Sequence, residues 1–279
     1  MMKTPCFGSH FGLTLLLSFL LSFPLPLRSD TRSVWNALQS PEYAWKNLTF
    51  EGKTAAVHCL FTDSRGLMWL GTNQGLYCYD GVTLHPIDHE TTSSLQIHTL
   101  AEGENGLYLG THEGLFRYDF RSNNLQPVSS LLPKEIRSLL RIGSTLWIGS
   151  LFGAYTYGID TSTMVCRSQG LPHPSVYSLL HDSQGNLYAG TFEGLARWQP
   201  ETETFQPVNI PPLDNGSGSS HPQRFINCLW EDARTHELYL GCEGCLLRYI
   251  PRQTIGRPFL PCSDKPSRAW DRHPTDSCW

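Results

Sequence analysis

Charge is what this chain has least of. Only 16% of its 279 residues are Asp, Glu, Lys or Arg, against ~25% in an ordinary globular protein. The 21 basic and 25 acidic residues leave a net charge of −4. No basic stripe is present, and phosphate binding needs clustered Lys and Arg, so no nucleic-acid partner is expected. A G-x-S-x-G nucleophile motif is missing. The nearest glycine-serine run, Asn215-Gly216-Ser217-Gly218-Ser219, reads as a flexible loop. The expectation is no catalytic residue, no enzyme activity and no cofactor.

Apolar runs of spanning length are also missing. The longest, Phe11–Phe23, has 13 residues and follows Lys3. That is short of the ~20 a membrane helix needs and suits the core of a signal peptide. Pro24 and Pro26 end any helix beyond it. Residues 1–29 are therefore expected to be a leader, with no other membrane span and a periplasmic or secreted product.

Gly (24) and Pro (19) are plentiful, aromatics reach 11%, and no helical periodicity appears. That composition fits an all-β protein rich in turns. One pattern recurs five times. It opens at Val57, Ile97, Ile136, Val176 and Ile226 as V/I-x-x-L, read as a short strand. An aromatic follows at Trp69, Tyr108, Trp147, Tyr188 or Tyr239, inside a strand that ends in glycine. Those glycines are Gly71, Gly110, Gly149, Gly190 and Gly241, with spacings of 39, 39, 41 and 51. A T-x-x-G turn comes next, then Leu-x-x-Tyr/Trp, then a weaker fourth strand. The turns at Ser150–Gly153 and at Cys242-Glu243-Gly244-Cys245 depart from T-x-x-G and are expected to differ in shape. A period of ~40 residues with four strands is that of a β-propeller blade. The fold class is therefore an all-β β-propeller of about five four-stranded blades after the signal peptide, as a closed or an incomplete ring. Blade cores are expected near 57–87, 97–128, 136–165, 176–208 and 226–251, within a propeller over 43–251. The mid-strand aromatics are read as wedges between blades. Tyr43–Glu51 is a candidate clasp strand.

These residues resemble the two-component regulator propeller repeat, with the pattern spread over about Trp45 to Pro251. VHCLFTDSRGLMWLGTNQGLYCYDG, from Val57, carries the resemblance most fully. The resemblance implies the periplasmic sensor half of a hybrid two-component system of Bacteroidetes, responding to oligosaccharides or a partner protein. It also implies downstream sensor and kinase domains, none of which is expected within these 279 residues. Residues 252–279 lose the pattern and are expected to form an irregular tail, as in a truncated or frame-shifted fragment of a longer sensor. A homodimer is the other expected partner arrangement. A propeller-type lyase or glycoside hydrolase, or a purely structural platform, are the competing functions.

Any ligand specificity should sit where the repeats differ, in the turns between second and third strands. The candidate binding residues are Asn73, Gln74, His112, Glu113, Phe152, Phe192, Glu193 and Glu243. His58 and His98 are equivalent residues of successive repeats, read as solvated. Cys242-x-x-Cys245 has the spacing of half a zinc site but no second pair, so no metal is expected. Most of the eight cysteines after the leader are read as small buried apolar residues.

Overall fold

The computed structural model describes residues 48, 50, 55–87, 92–128, 133–210, 225–243, 245–250 and, as backbone, 253–260. The leader, most of the clasp segment and residues 261–279 lie outside the described residues. The fold is all-β: five four-stranded antiparallel blades of a β-propeller, each with its strands in sequence order. The chain divides into two compact units, Met1–Ser130 and Leu131–Trp279.

The first unit holds two blades. The first is β1 (Val57–Thr62), β2 (Met68–Thr72), β3 (Gly75–Tyr79) and β4 (Leu84–Ile87). The second is β5 (Ile97–Glu102), β6 (Gly106–Thr111), β7 (Leu115–Asp119) and β8 (Asn124–Pro127). The second unit holds three. They are β9 (Ile136–Ile142), β10 (Thr145–Ser150), β11 (Gly153–Gly158) and β12 (Thr163–Cys166); β13 (Val176–His181), β14 (Leu187–Thr191), β15 (Gly194–Gln199) and β16 (Thr204–Val208); and β17 (Ile226–Glu231), β18 (Leu238–Cys242), β19 (Cys245–Ile250) and β20 (Gln253–Leu260). β20 pairs with β19 where the lost pattern predicted an irregular tail from residue 252. An outermost strand has a ladder on one side only, so backbone pairing places it without the apolar alternation that marks inner strands.

The V-x-x-L spacing poses a geometric problem. Side chains three apart on a regular strand face opposite ways. Each opening strand solves it with a bulge at its second residue: Val57 pairs with Thr72 and Cys59 with Gly71, skipping His58. The same skip passes His98, Arg137, Tyr177 and Asn227. The extra residue turns V/I and L onto one face and re-aims the bulged side chain.

Within each unit, the apolar face of β5, β13 and β17 plugs the preceding blade. A Cβ on Gly190 would come within 2.8 Å of Ile226 Cγ2, so glycine is required for the close approach. Gly71 and Gly149 meet Ile97 and Val176 in the same way. Burying each plug side chain contributes about 1.5–3 kcal/mol. The mid-strand aromatics act as the expected wedges. Trp69 stacks on Phe120 at 5.6 Å, and Trp147 meets Trp198 edge-on at 5.0 Å. Polar latches run beside them. Ser64 N–H donates to Glu102 at 3.0 Å, and Ser183 N–H to Glu231 at 2.8 Å. Ser138 and Ser178 hydroxyls accept the N–H groups of Leu179 and Leu229.

The Ser150–Gly153 turn does not depart from its neighbours. Ser150 Oγ donates to the Gly153 carbonyl at 3.1 Å and accepts Phe152 N–H, as Thr191 does with Gly194 and Glu193. Gly153 has φ +145, in the region glycine alone enters without strain. Serine supplies the same hydroxyl as threonine, which the residue letters concealed.

Candidate functional site

Each blade brings three variable side chains to one end. The first residue after the Thr/Ser/Cys hydrogen-bonds back to the residue just before the opening strand. Asn73 N–H donates to Ala56, His112 to Gln96, Leu151 to Glu135, Phe192 to Ser175 and Glu243 to Phe225, all over backbone atoms. The bulged residue lies two positions further on. Turn, lead-in and bulge residues therefore form one cluster per blade, joined by backbone atoms whatever their side chains.

In the first unit this cluster is polar and largely engaged in holding its own shape. Asn73 Oδ1 accepts Ala56 N–H at 2.8 Å, and His112 Nδ1 accepts Gln96 N–H at 3.2 Å. Both expected ligand residues thus brace the turn. His112 Nε2 lies 3.7 Å from Glu113 Oε1. Gln74 N–H donates to Thr72 Oγ1. The bulged His58 and His98 stack with centroids 5.1 Å apart and planes 22° apart.

In the second unit the cluster becomes aromatic. Phe192, in the turn between β14 and β15, lies 5.2 Å from the His173 ring and 5.4 Å from Phe225. Phe225 packs edge-on against the bulged Tyr177 at 4.6 Å. His173 Nδ1 accepts the Ser175 N–H at 3.0 Å, which leaves Nε2 as the ring's N–H donor. Ser175 Oγ donates to Leu151 O at 3.0 Å, tying this lead-in to the neighbouring turn that carries Phe152. Phe192 is 48% exposed and Phe152 62%. Glu193 and Glu243 are exposed beside this cluster.

The eight expected residues are not one set. Asn73 and His112 brace turns, Phe192 joins an aromatic group, Phe152 stands exposed, and the glutamates face solvent. His173, Tyr177 and Phe225 were missed. The signal for Tyr177 was the three-residue spacing of V-x-x-L, which demands a bulge there. Phe225 and Ser175 precede their strands as Phe192 and Glu243 follow theirs, but only the backbone bond reveals it.

A groove of about 390 Å³ lies elsewhere in the second unit, lined by Trp147, Arg167, Trp198 and Glu203 among others. Its aromatic rings pack on one another, and Arg167 is paired with Glu203 and lies over Trp198. Among the described residues no group of three or more His, Cys, Asp or Glu is placed to hold a metal. No helix among them is long and apolar enough to cross a membrane.

Two segments, residues 52–74 and 170–193, match the family model of the two component regulator propeller. Comparison with curated protein sequences gives no match. Among solved structures, the extracellular domain of one B. thetaiotaomicron protein is similar at 29% identity with a TM-score of 0.68. It is called a one component system in one structure and a hybrid two component system in another; 76% of this chain is covered, and 29% or 28% of that one. The extracellular domain of a second hybrid two component system of B. thetaiotaomicron shares the fold at 18% identity and a TM-score of 0.59, over 76% of this chain and 31% of that one. The chain spans less than a third of the length of these structures.

Proposed function

We propose that this chain, two segments of which match the two component regulator propeller, is the ligand-reading module of an extracellular sensor and binds an oligosaccharide at the aromatic end of its second unit. The observation that carries this reading is the Phe192 cluster. An exposed aromatic face flanked by a fixed imidazole donor and by carboxylates presents what a sugar needs. The ring stacks on apolar C–H faces, and the polar groups bond to hydroxyls. An exposed aromatic group with polar side chains converging on it has the makeup of a binding site. The reading is binding without turnover. The extracellular location of the similar domains supports a periplasmic or secreted place for this chain, with the signal passed to domains outside it.

Calorimetric titration with a panel of oligosaccharides tests this. One or more sugars should give saturable heat with no continuing heat of turnover. Phe192→Ala should weaken that sugar about tenfold, as expected for one stacking face of ~1–1.5 kcal/mol. Phe192 is half exposed, so its removal should move stability by less than about 0.5 kcal/mol. A sustained heat after saturation would point to the glycosidase or lyase reading instead. Undiminished affinity in the variant would remove the cluster from the site.

A further inference from the structure

Four blades close the turn between their second and third strands with a hydroxyl. Thr72, Thr111, Ser150 and Thr191 donate to the carbonyl of the glycine three residues on, at 2.8, 2.8, 3.1 and 2.8 Å. Each also accepts the N–H two residues on, at 3.0, 3.1, 3.1 and 3.2 Å. The fifth blade changes both ends of this bridge together. Cys242 stands where the hydroxyl stood, and Cys245 where the glycine stood. A thiol is a weak donor and a weak acceptor. Cys242 Sγ lies 3.7 Å from the Leu240 carbonyl, back along its own strand. The hydroxyl bridge is therefore lost in this blade alone, at the one turn that carries two cysteines.

Geometry offers the replacement. Cys242 and Cys245 are direct register partners across the hairpin. Direct partners in an antiparallel pair have Cα atoms ~4.5 or ~5.5 Å apart, inside the ~4.4–6.8 Å range of a disulfide. Both are free thiols in the structure, and the two side chains are hydrogen-bonded to each other. Cys228, the third thiol of this blade, is in register with Gly241 instead. We propose that Cys242 and Cys245 form a disulfide that closes the fifth blade's turn, a covalent counterpart of the hydroxyl bridge in the other four.

The chemistry follows from the surroundings. Burial, with the neighbouring thiol, pushes Cys242 up to about 12. The first attack therefore falls to Cys245, which is less buried. Its thiolate attacks an external disulfide such as oxidised glutathione, forming a mixed disulfide and releasing one glutathione. Cys242 then displaces the second. The two thiol protons and two electrons end on two molecules of glutathione.

The test uses the full chain, purified and equilibrated with oxidised glutathione, so its outcome is independent of where the protein resides. Trypsin cuts after Arg234 and Arg248, leaving Cys242 and Cys245 in one peptide without Cys228. That peptide should resist iodoacetamide and be lighter by two hydrogens until reduced. Reduction should lower the melting temperature of the oxidised chain by about 2–5 °C. The double variant C242T/C245G restores the pattern of the other blades and should melt at one temperature with or without reductant. Alkylation of both thiols after oxidation, glutathione caps on each, or a cross-link to Cys228 would overturn the proposal.

Discussion

Leu100→Asp should unfold the second blade's core, whereas Leu60→Asp, the same change one repeat earlier, should leave stability almost untouched. Both leucines close a V/I-x-x-L face. Leu100 is 7% exposed and packs in one cluster with Trp69, Leu76 and Leu109. Leu60 is 55% exposed, and its partner Val57 is 43% exposed. At Leu100 the substitution loses about 2–3 kcal/mol of transfer free energy and forces a carboxylate into an apolar space, for a total above about 4 kcal/mol. At Leu60 no cavity forms and the charge stays in water, so the change should stay within about 0.5 kcal/mol. Urea midpoints of the two variants and the parent read this directly. Equal losses would mean that Leu60 is covered in solution and that the first blade's face is occupied.

The second large effect is at Asp63. The turn Asp63-Ser64-Arg65-Gly66 looks like any polar turn, yet the Asp63 side chain is fully buried. Its carboxylate accepts the backbone N–H groups of Arg65 and Leu67 at 2.9 and 3.0 Å and the Trp69 indole N–H at 2.9 Å. Arg65 adds an ion pair at 2.6 Å and lays its guanidinium over Phe120 at 3.7 Å. One carboxylate thus holds the first hairpin, the Trp69 wedge and the cation that covers the wedge's neighbour. Asp63→Ala would leave several buried donors without an acceptor and should cost about 3–4 kcal/mol.

The pH dependence has a definite sign. Burial raises the Asp63 carboxyl, but the bonds from Trp69, Arg65 and Leu67 outweigh it and hold it below the ordinary carboxylate range. An unfolded Asp titrates near ~3.9. The Asp63 contribution is therefore complete above that pH and is lost as pH falls through the lower folded value. Asp119 is lowered too, first by the Ser122 N–H. Asp80 is also lowered, first by the Thr83 N–H. Asp80 is solvent-exposed and Asp119 lies at the surface, half-buried, so both contribute less to the slope than Asp63. Urea midpoints of the parent should fall on acidification below about pH 4, and Asp63→Asn should flatten that fall. A parent midpoint that is level through this range would refute the role given to Asp63.

The repeat made the fold legible. Turn glycines, mid-strand aromatics and V/I-x-x-L recur at one period, and each marks a fixed element of a blade. The contacts that join blades were less visible, because they pair residues from different repeats. Ser64 and Glu102 are 38 residues apart, and Ser183 and Glu231 are 48 apart. No pattern within a single repeat can show such a latch. The strand β20 escaped notice because an outer strand rests on backbone pairing. The candidate site was half legible. Variation among the turns pointed to Phe192, but Asn73 and His112 vary for a structural reason, since each braces its turn with a different side-chain acceptor. Tyr177 was hidden by treating V-x-x-L as a plain strand, although a spacing of three on one face already requires a bulge.

Hydrogen exchange with and without a saturating oligosaccharide tests the central claim most directly. The account predicts slowed exchange confined to residues 173–177, the Phe192 turn and the Phe225 lead-in, and absent in Phe192→Ala. Slowing centred instead on the groove lined by Trp198 and Arg167, or none at the aromatic end under saturating ligand, would contradict it.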